Sequence, residues 1–471
     1  MHSPVSASVP EWLVLPDDVN DLVDGVWPAA AHRAADGALV LGGIPAADLV
    51  AAYGTPLQVI DENEVRHRAA AVRSAFQQAA ERAGTTARVY YAGKAFMNSA
   101  IVRWVLQEGL RVDVCTGGEL EVALAAGADP ALIGFHGNNK SVAELERAVE
   151  VGVGSIIIDS EIEIERLAAI TAATDAVQQV LLRVNSGVHA ETHDFLATAH
   201  EDQKFGVPLS DAAPLVARIR EIPGLRFLGL HCHIGSQIFG VDGFRESAAR
   251  VLDLHEELLA GGHVPLLNLG GGFGIAYTRV DDPTPIDQLA EGIVQAVAQG
   301  CAARGLDLPE LAFEPGRYIV GPAGVTLYEV GTTKDVVLED AVRRYVSVDG
   351  GMSDNARPAL YGAQYSARLA SRAGSDEPVL ARVVGRHCES GDIVVDYEYL
   401  PADVTPGDLL AVPVTGAYCA PLSSNYNHVP RPPVVAVLDG TSRVIVRGET
   451  LRDLLARDTG LDVGHHPEGA R

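Results

Sequence analysis

Positive charge is scarce in this sequence. Its 471 residues hold 36 Lys and Arg against 62 Asp and Glu, a formal net charge of −26. Nucleic acid and anionic membranes both reward Lys/Arg clusters, so neither is expected as the main partner. No stretch approaches the roughly 20 uninterrupted apolar residues that a membrane-spanning helix needs. Cysteine is sparse as well. Cys115, Cys232, Cys301, Cys388 and Cys419 are odd in number and scattered, without short repeated spacing. They read as reduced thiols of a cytoplasmic protein. The start, MHSPVSASVPEW, has no basic residues and no apolar run, so no signal peptide is expected. What remains is globular: 47% hydrophobic and 21% charged. At about 150 residues per domain the length suggests two or three domains, and it can bury a large core without staples.

Residues 1–10 and the tail at 462–471 are polar or rich in turn formers, and are expected to be mobile. Between them no low-complexity linker marks a boundary, so boundaries follow changes of rhythm. Short apolar, β-branched runs recur at 89–92, 111–115, 132–136, 155–159, 180–185, 229–234, 266–269 and 311–314. Stretches such as 118–126 and 141–149 lie between them, with apolar residues at the i, i+3, i+4 spacing of a helix packed on one face. Strands alternating with helices imply a parallel sheet. Eight even repeats suit a closed (β/α)8 TIM-type barrel over 49–320 better than an open doubly wound sheet. Beyond 320, strand-like runs at 325–330, 344–348, 380–384, 392–396, 408–412, 434–438 and 443–447 are bounded by Gly, Pro, Asp and Asn. Few helices intervene. A mainly antiparallel β domain, barrel or sandwich, is expected from 321–471 together with 1–48, whose strand candidate is 38–41.

In such a barrel, chemistry gathers at the carboxyl ends of the strands. Read in order, those ends supply Lys94, Asp113, His136, Asp159, Asn185, His233, Gly270 to Gly272 and Glu314. Lys94 follows strand one. A lysine there is ordinarily a solvated strand end, but in a partly dry pocket its pKa falls and its lone pair is free for Schiff-base chemistry. Gly270-Gly271-Gly272-Phe273-Gly274 follows strand seven, where backbone N–H groups approach an anion closely. It is not a dinucleotide fingerprint, because the first strand-turn-helix unit lacks one. Glu314-Pro315-Gly316-Arg317 ends strand eight. Its carboxylate suits a protonated pyridine nitrogen, and its guanidinium suits a carboxylate or phosphate; the plain alternative is a buried ion pair. His231 and His233 share a strand face, with Cys232 turned away. Two histidines without a third ligand make a weak zinc site, and a ring stacked on an aromatic cofactor suits His233 better. Three polar, Gly-rich clusters at 349–361, 387–392 and 415–418 lie in the β domain. They are turns that together offer a cation, two phenols, a thiol and a carboxylate, enough to bind a zwitterion.

In combination these motifs are specific. Tyr91-Ala92-Gly93-Lys94-Ala95-Phe96, Asp113-Val114-Cys115-Thr116-Gly117-Gly118-Glu119-Leu120 and His136-Gly137-Asn138-Asn139-Lys140 come first. His231 to Gln237, Gly270 to Gly272, Glu314 to Arg317, Cys388-Glu389-Ser390-Gly391-Asp392 and Gly416-Ala417-Tyr418 follow. The chain closely resembles the diaminopimelate decarboxylase family, of the alanine-racemase-like, fold-type III class of pyridoxal-phosphate enzymes, from about residue 42 to 455. The resemblance implies pyridoxal 5'-phosphate carried by Lys94, with His233 on its ring face and Glu314 at its pyridine nitrogen. It implies a phosphate held by Ser236, Gly270, Gly271, Gly272, the backbone of Glu314, Pro315, Gly316 and Arg317, and Tyr418. Arg317, Arg357 and Tyr361, with Tyr418 beside them, would grip the remote carboxylate of meso-diaminopimelate. Glu389 would bind its remote amine, and Cys388 would return a proton after decarboxylation. Cys388 and Glu389 would act in a partner subunit, so the active unit would be a homodimer with shared sites and no metal. Segments 191–195 and 201–206 match the family's loop after strand five, a candidate lid. Ser186 stands where the family often has Pro, a loop change.

The nearest rival is a related decarboxylase of ornithine, arginine or carboxynorspermidine. Such an enzyme would not need Arg357 with Tyr361 and Glu389 for a remote amino-acid end. An amino-acid racemase would carry a weaker partner than Glu314. A non-catalytic cofactor-binding barrel would have no use for the Cys388-Glu389 cluster.

Overall fold

The structure, a computed structural model, describes residues 9–188, 204–338 and 342–461. The segment at 191–195, the first part of that at 201–206, residues 1–8 and the tail at 462–471 lie outside the described residues. The chain divides into two compact units, Glu62–Pro322 and Met1–Asp61 with Ala323–Arg471.

In the first unit all eight expected strands form. They are Ala87–Ala92, Arg111–Val114, Ile133–Phe135, Ser155–Ile158, Gln178–Asn185, Leu225–His231, Leu266–Asn268 and Glu310–Phe313. They pair in parallel in chain order, and the eighth pairs with the first, closing a TIM-type barrel. The helix Val142–Val151 shows how local sequence sets each repeat. Ser141 caps it, with Glu144 reaching back to the Ser141 N–H, and Gly152 ends it at φ 75°. Its face of Leu145, Ala148 and Val149 is buried.

Side chains alternate along a strand, and this layers the barrel interior. Tyr90, Ile157, Leu181, Leu228, Leu266 and Ala312 meet as a buried apolar plug. Each buried Leu or Ile contributes on the order of 1.5–3 kcal/mol. Two residues further along, the same alternation delivers Asp159, Arg183, Asn268 and Glu314. Strand six departs from it. Its pairing shifts between Phe227 and Gly229, and a Cβ on Gly229 would lie 1.8 Å from the Leu266 carbonyl oxygen. The bulge at Leu228 and Gly229 brings His231 to the carboxylate of Glu314.

The second unit is built on a mixed nine-stranded sheet. The long strand Gly324–Val337 pairs antiparallel with Val342–Val348, Leu409–Pro413 and Leu57–Asp61. Two pairings are parallel: Val342–Val348 with Pro378–Val384, and Val434–Leu438 with Leu57–Asp61. The division therefore falls after Asp61 rather than at residue 48. A buried run such as Leu57–Asp61 reads like a barrel strand, and only its partners decide its sheet. Among the described residues no helix is long and apolar enough to cross a membrane.

Candidate active site

The carboxyl end of the barrel holds a buried cluster of two carboxylates and two imidazoles. Glu314 is its centre. The Asn268 side-chain N–H donates to Glu314 Oε1 at 2.7 Å, and His231 Nε2 lies 3.1 Å from Oε1 and 3.3 Å from Oε2. His136 Nε2 lies 3.4 Å from Glu314 Oε1 and 3.3 Å from Asp113 Oδ1. Burial pushes His136 and His231 down to about 4, so both are neutral at pH 7. Burial alone would raise Glu314, but its contacts with the surrounding histidines, the His231 hydrogen bond among them, hold it well below the usual carboxylate range. Asp113 moves the other way: burial and then the Glu314 charge push it well above. The cluster thus separates its carboxylates, with Glu314 ionised and Asp113 the first to take a proton.

Around this cluster the Gly-rich loop is built without side chains because there is no space for them. A Cβ on Gly270 would stand 2.8 Å from the Cys232 carbonyl oxygen. On Gly271 it would stand 2.0 Å from the Glu314 carbonyl oxygen, and on Gly272 2.3 Å from that of Gly235. Gly270 and Gly272 also sit at φ 69° and 102°. Asn268 secures the turn by accepting from the Gly270 N–H at 2.9 Å. Gly271 donates to His233 Nδ1 at 3.2 Å, which leaves the ring hydrogen on Nε2. Burial, then the nearby Lys94 charge, hold the His233 imidazole well below its usual pKa. Ala92 donates to the Pro315 carbonyl oxygen at 3.0 Å, and a Cβ on Gly316 would meet Ala92 O at 2.9 Å. Strands one and eight are thereby tied where Lys94 and Glu314 emerge.

Lys94 lies on the short turn Gly93–Ala95. It is exposed in the single chain, in contrast to the partly dry pocket expected for it, because Gly93 and Ala95 take the buried positions of that turn. Arg317 is half-buried. Its Nη2 donates to Ser236 Oγ at 3.0 Å and its Nη1 to the Tyr277 hydroxyl at 2.5 Å.

The second unit carries its own cluster. Arg357 is buried and donates to the Tyr365 hydroxyl at 2.5 Å. Asp392 accepts from the His387 N–H at 2.7 Å and the Met352 N–H at 2.6 Å, joining the turns that bear Cys388 and Arg357. His387 Nε2 lies 2.8 Å from Ser353 Oγ, and Cys388 N–H donates to Asn427 Oδ1 at 3.1 Å. Burial pushes Asp354, bonded to the Tyr328 hydroxyl, up to about 7. Among the five thiols only Cys388 is exposed. Glu389 and Tyr361 are exposed as well. Tyr418 takes the left-handed conformation at φ 62°, a costly choice for a residue with a Cβ.

The structure thus brings Lys94, His233, Ser236, Gly270 to Gly272 and Glu314 to Arg317 to one end of the barrel. In the other unit it ties the turns of Arg357 and Cys388. Sequence reading gave no role to three contributors. Asn268 bridges the glycine turn to Glu314, His231 bonds Glu314, and Tyr277 holds Arg317. Asn268 was legible in principle, two residues past Leu266 of the plug; the other two depend on contacts across the fold. The grouping of His136, His231 and Glu314, whose ligand atoms lie within 4.8 Å of one another, has the donor types of a metal site. The N–H donors of Asn268 and His231 already occupy the Glu314 oxygens. A cavity of about 260 Å³ lined by Arg88, Arg111, Gln178 and Gln179 lies at the amino ends of the strands, away from this chemistry. Barrel catalysis belongs to the carboxyl ends, so the candidate site is placed there.

Known proteins resemble this chain over most of its length. Residues 65–321 match the family described as pyridoxal-dependent decarboxylase, pyridoxal binding domain. The chain is 52% identical over 444 residues to the diaminopimelate decarboxylase of Mycobacterium tuberculosis, covering 92% of this chain and 98% of that protein. It is 43% identical over 432 residues to the Bacillus subtilis protein of the same name, covering 91% and 97%. It is also similar to the solved structure of diaminopimelate decarboxylase from M. jannaschii in complex with L-lysine. The TM-score is 0.84 at 30% identity, covering 92% of this chain and 98% of that one.

Proposed function

The chain belongs to the pyridoxal-dependent decarboxylases, and on that footing we propose that it is a diaminopimelate decarboxylase. It removes one α-carboxylate of meso-2,6-diaminopimelate to give L-lysine and carbon dioxide, the last step of lysine biosynthesis. The observation that carries the decarboxylase chemistry is Glu314, a buried carboxylate at a barrel strand end with the Asn268 and His231 side chains on its oxygens; the choice of substrate is supported by the 52% identity to a diaminopimelate decarboxylase. The residues present fit pyridoxal 5'-phosphate. The glycine turn packs directly on the backbone of Cys232, Gly235 and Glu314, where a Cβ has no room, and the buried carboxylate of Glu314 could accept from a ring N–H. When bound, the cofactor supplies an electron sink for the pair released from the breaking carbon–carbon bond.

The residues divide the remaining work. Glu314 accepts from the protonated pyridine nitrogen and keeps its proton in place, and neutral His231 with Asn268 holds the carboxylate still. Lys94 provides the carrying amine, and His233 covers one ring face with its Nε2–H tautomer. Ser236, Gly270 to Gly272, the backbone of Glu314 to Arg317 and Tyr418 hold the phosphate. Arg317, Arg357 and Tyr361 bind the remote carboxylate, and Glu389 binds the remote amine. The arginines are assigned to the remote end, because a cation on the scissile carboxylate would stabilise that ground state and slow its loss. Cys388 donates a proton to the α-carbon. The exposure of Cys388 and Glu389 suits a homodimer in which they serve the partner's site, in the cytoplasm.

The test is lysine release by the purified protein supplied with pyridoxal phosphate and meso-diaminopimelate, with ornithine and arginine in parallel. Lysine from diaminopimelate, with the other two left intact, is the expected result. Preferential decarboxylation of ornithine or arginine would overturn the assigned roles of Arg357, Tyr361 and Glu389.

A further inference from the structure

We propose that Tyr277 is a positioning residue that presets the Arg317 guanidinium for the remote carboxylate of the substrate. The inference rests on the reading of Arg317 as a carboxylate-binding residue. An arginine side chain turns about roughly four bonds, and freezing them only when substrate arrives costs affinity. Here the fork is already held through two different nitrogens. Nη1 donates to the Tyr277 hydroxyl at 2.5 Å and Nη2 to Ser236 Oγ at 3.0 Å. The guanidinium carbon lies 5.8 Å from the Tyr277 ring centroid. Two anchored nitrogens and a neighbouring ring fix both the position and the plane of the group, and the plane is what two-point carboxylate binding requires.

Tyr277 is itself held on both sides. Asp281 Oδ2 accepts from the Tyr277 N–H at 2.9 Å, the Thr278 N–H at 2.8 Å and the Thr278 hydroxyl at 3.1 Å. On the other side, the Gln237 side chain exchanges two hydrogen bonds with the backbone of Ile275, at 3.0 and 3.1 Å. The glycine cradle, Gln237, Tyr277 and Asp281 thus form one continuous support. A phenol anchors a guanidinium without neutralising it.

Tyr277→Phe removes one oxygen and keeps the ring, which is 6% exposed. The measurements are KM and kcat for meso-diaminopimelate, inhibition by lysine and by cadaverine, cofactor affinity by fluorescence titration, and the melting temperature. Lysine keeps the carboxylate that Arg317 binds, and cadaverine lacks it. The expected result is a rise of about tenfold in KM and in the lysine inhibition constant, as for one lost hydrogen bond to a charged group. The cadaverine constant, kcat, cofactor affinity and melting temperature should each change by less than about threefold. Unchanged lysine inhibition would overturn the proposal, as would an equal loss for lysine and cadaverine. Arg317→Lys separates the two levels: if it weakens cofactor binding but leaves lysine inhibition intact, the carboxylate role of Arg317 fails, and the proposal with it.

Discussion

Replacing Glu314 by Gln changes charge with almost no change in shape, and its cost follows from the surroundings. The carboxylate is 9% exposed and receives N–H groups from Asn268 at 2.7 Å and His231 at 3.1 Å. The amide oxygen of Gln still accepts from Asn268, so the fold should survive and the melting temperature should move by a few degrees at most. On the proposed reading, what is lost is the negative charge that would keep a ring nitrogen protonated, carried by a carboxylate that is itself buried. Removing one such electrostatic partner costs about 2.7–4 kcal/mol in the transition state, or roughly 10²–10³ in kcat. Steady-state lysine release at saturating cofactor measures this, with cofactor affinity titrated separately so that weak binding is not mistaken for slow chemistry. A Glu314→Gln enzyme with kcat within about threefold of the parent would refute the argument, because the buried charge would then be structural only.

Three further predictions follow from the same geometry. Gly271→Ala places a Cβ 2.0 Å from the Glu314 carbonyl oxygen; the cradle must open, and cofactor affinity measured by titration should fall by at least tenfold, against no change if the cradle is not the phosphate site. Lys140 is 3% exposed and donates to Glu163 at 2.6 Å and to the carbonyls of Gly137 and Ile157 at 2.8 and 2.7 Å. Lys140→Met strands the buried Glu163 and should cost about 3–5 kcal/mol in urea unfolding, with Glu163→Gln recovering part of it. His136 and His231 titrate near 4 when folded and near 6.5 when unfolded. The unfolded chain therefore binds protons first as the pH falls, and stability present above about 6.5 should decline between 6.5 and 4, by on the order of 3 kcal/mol per histidine. Melting curves across that range test this, and a flat profile would count against neutral imidazoles.

Much of the architecture was legible because its signals are local. Eight apolar runs with helical stretches between them predict the barrel, and each forms a strand at its expected place. The polar residues past those runs had to converge, since a closed parallel barrel brings all its carboxyl ends together. Leu57–Asp61 was not legible, because its buried run fits either sheet and only pairing with Gly324–Val337 and Val434–Leu438 places it. Nor was the exposure of Lys94, which depends on how the turn at Gly93–Ala95 packs.

By itself, then, the sequence determined the order of strands and helices and the residue types at each strand end, since alternation and helical spacing act over a few residues. The tertiary structure alone decided which of two buried carboxylates carries the charge. Asp113 and Glu314 share His136 as a neighbour, and Glu314 in addition takes His231 and Asn268 from across the barrel. It alone joined Asn268 to a carboxylate 46 residues away, and Tyr277 to an arginine 40 residues away. Protonation and hydrogen bonding depend on distances through space, and those distances exist only once the barrel has closed.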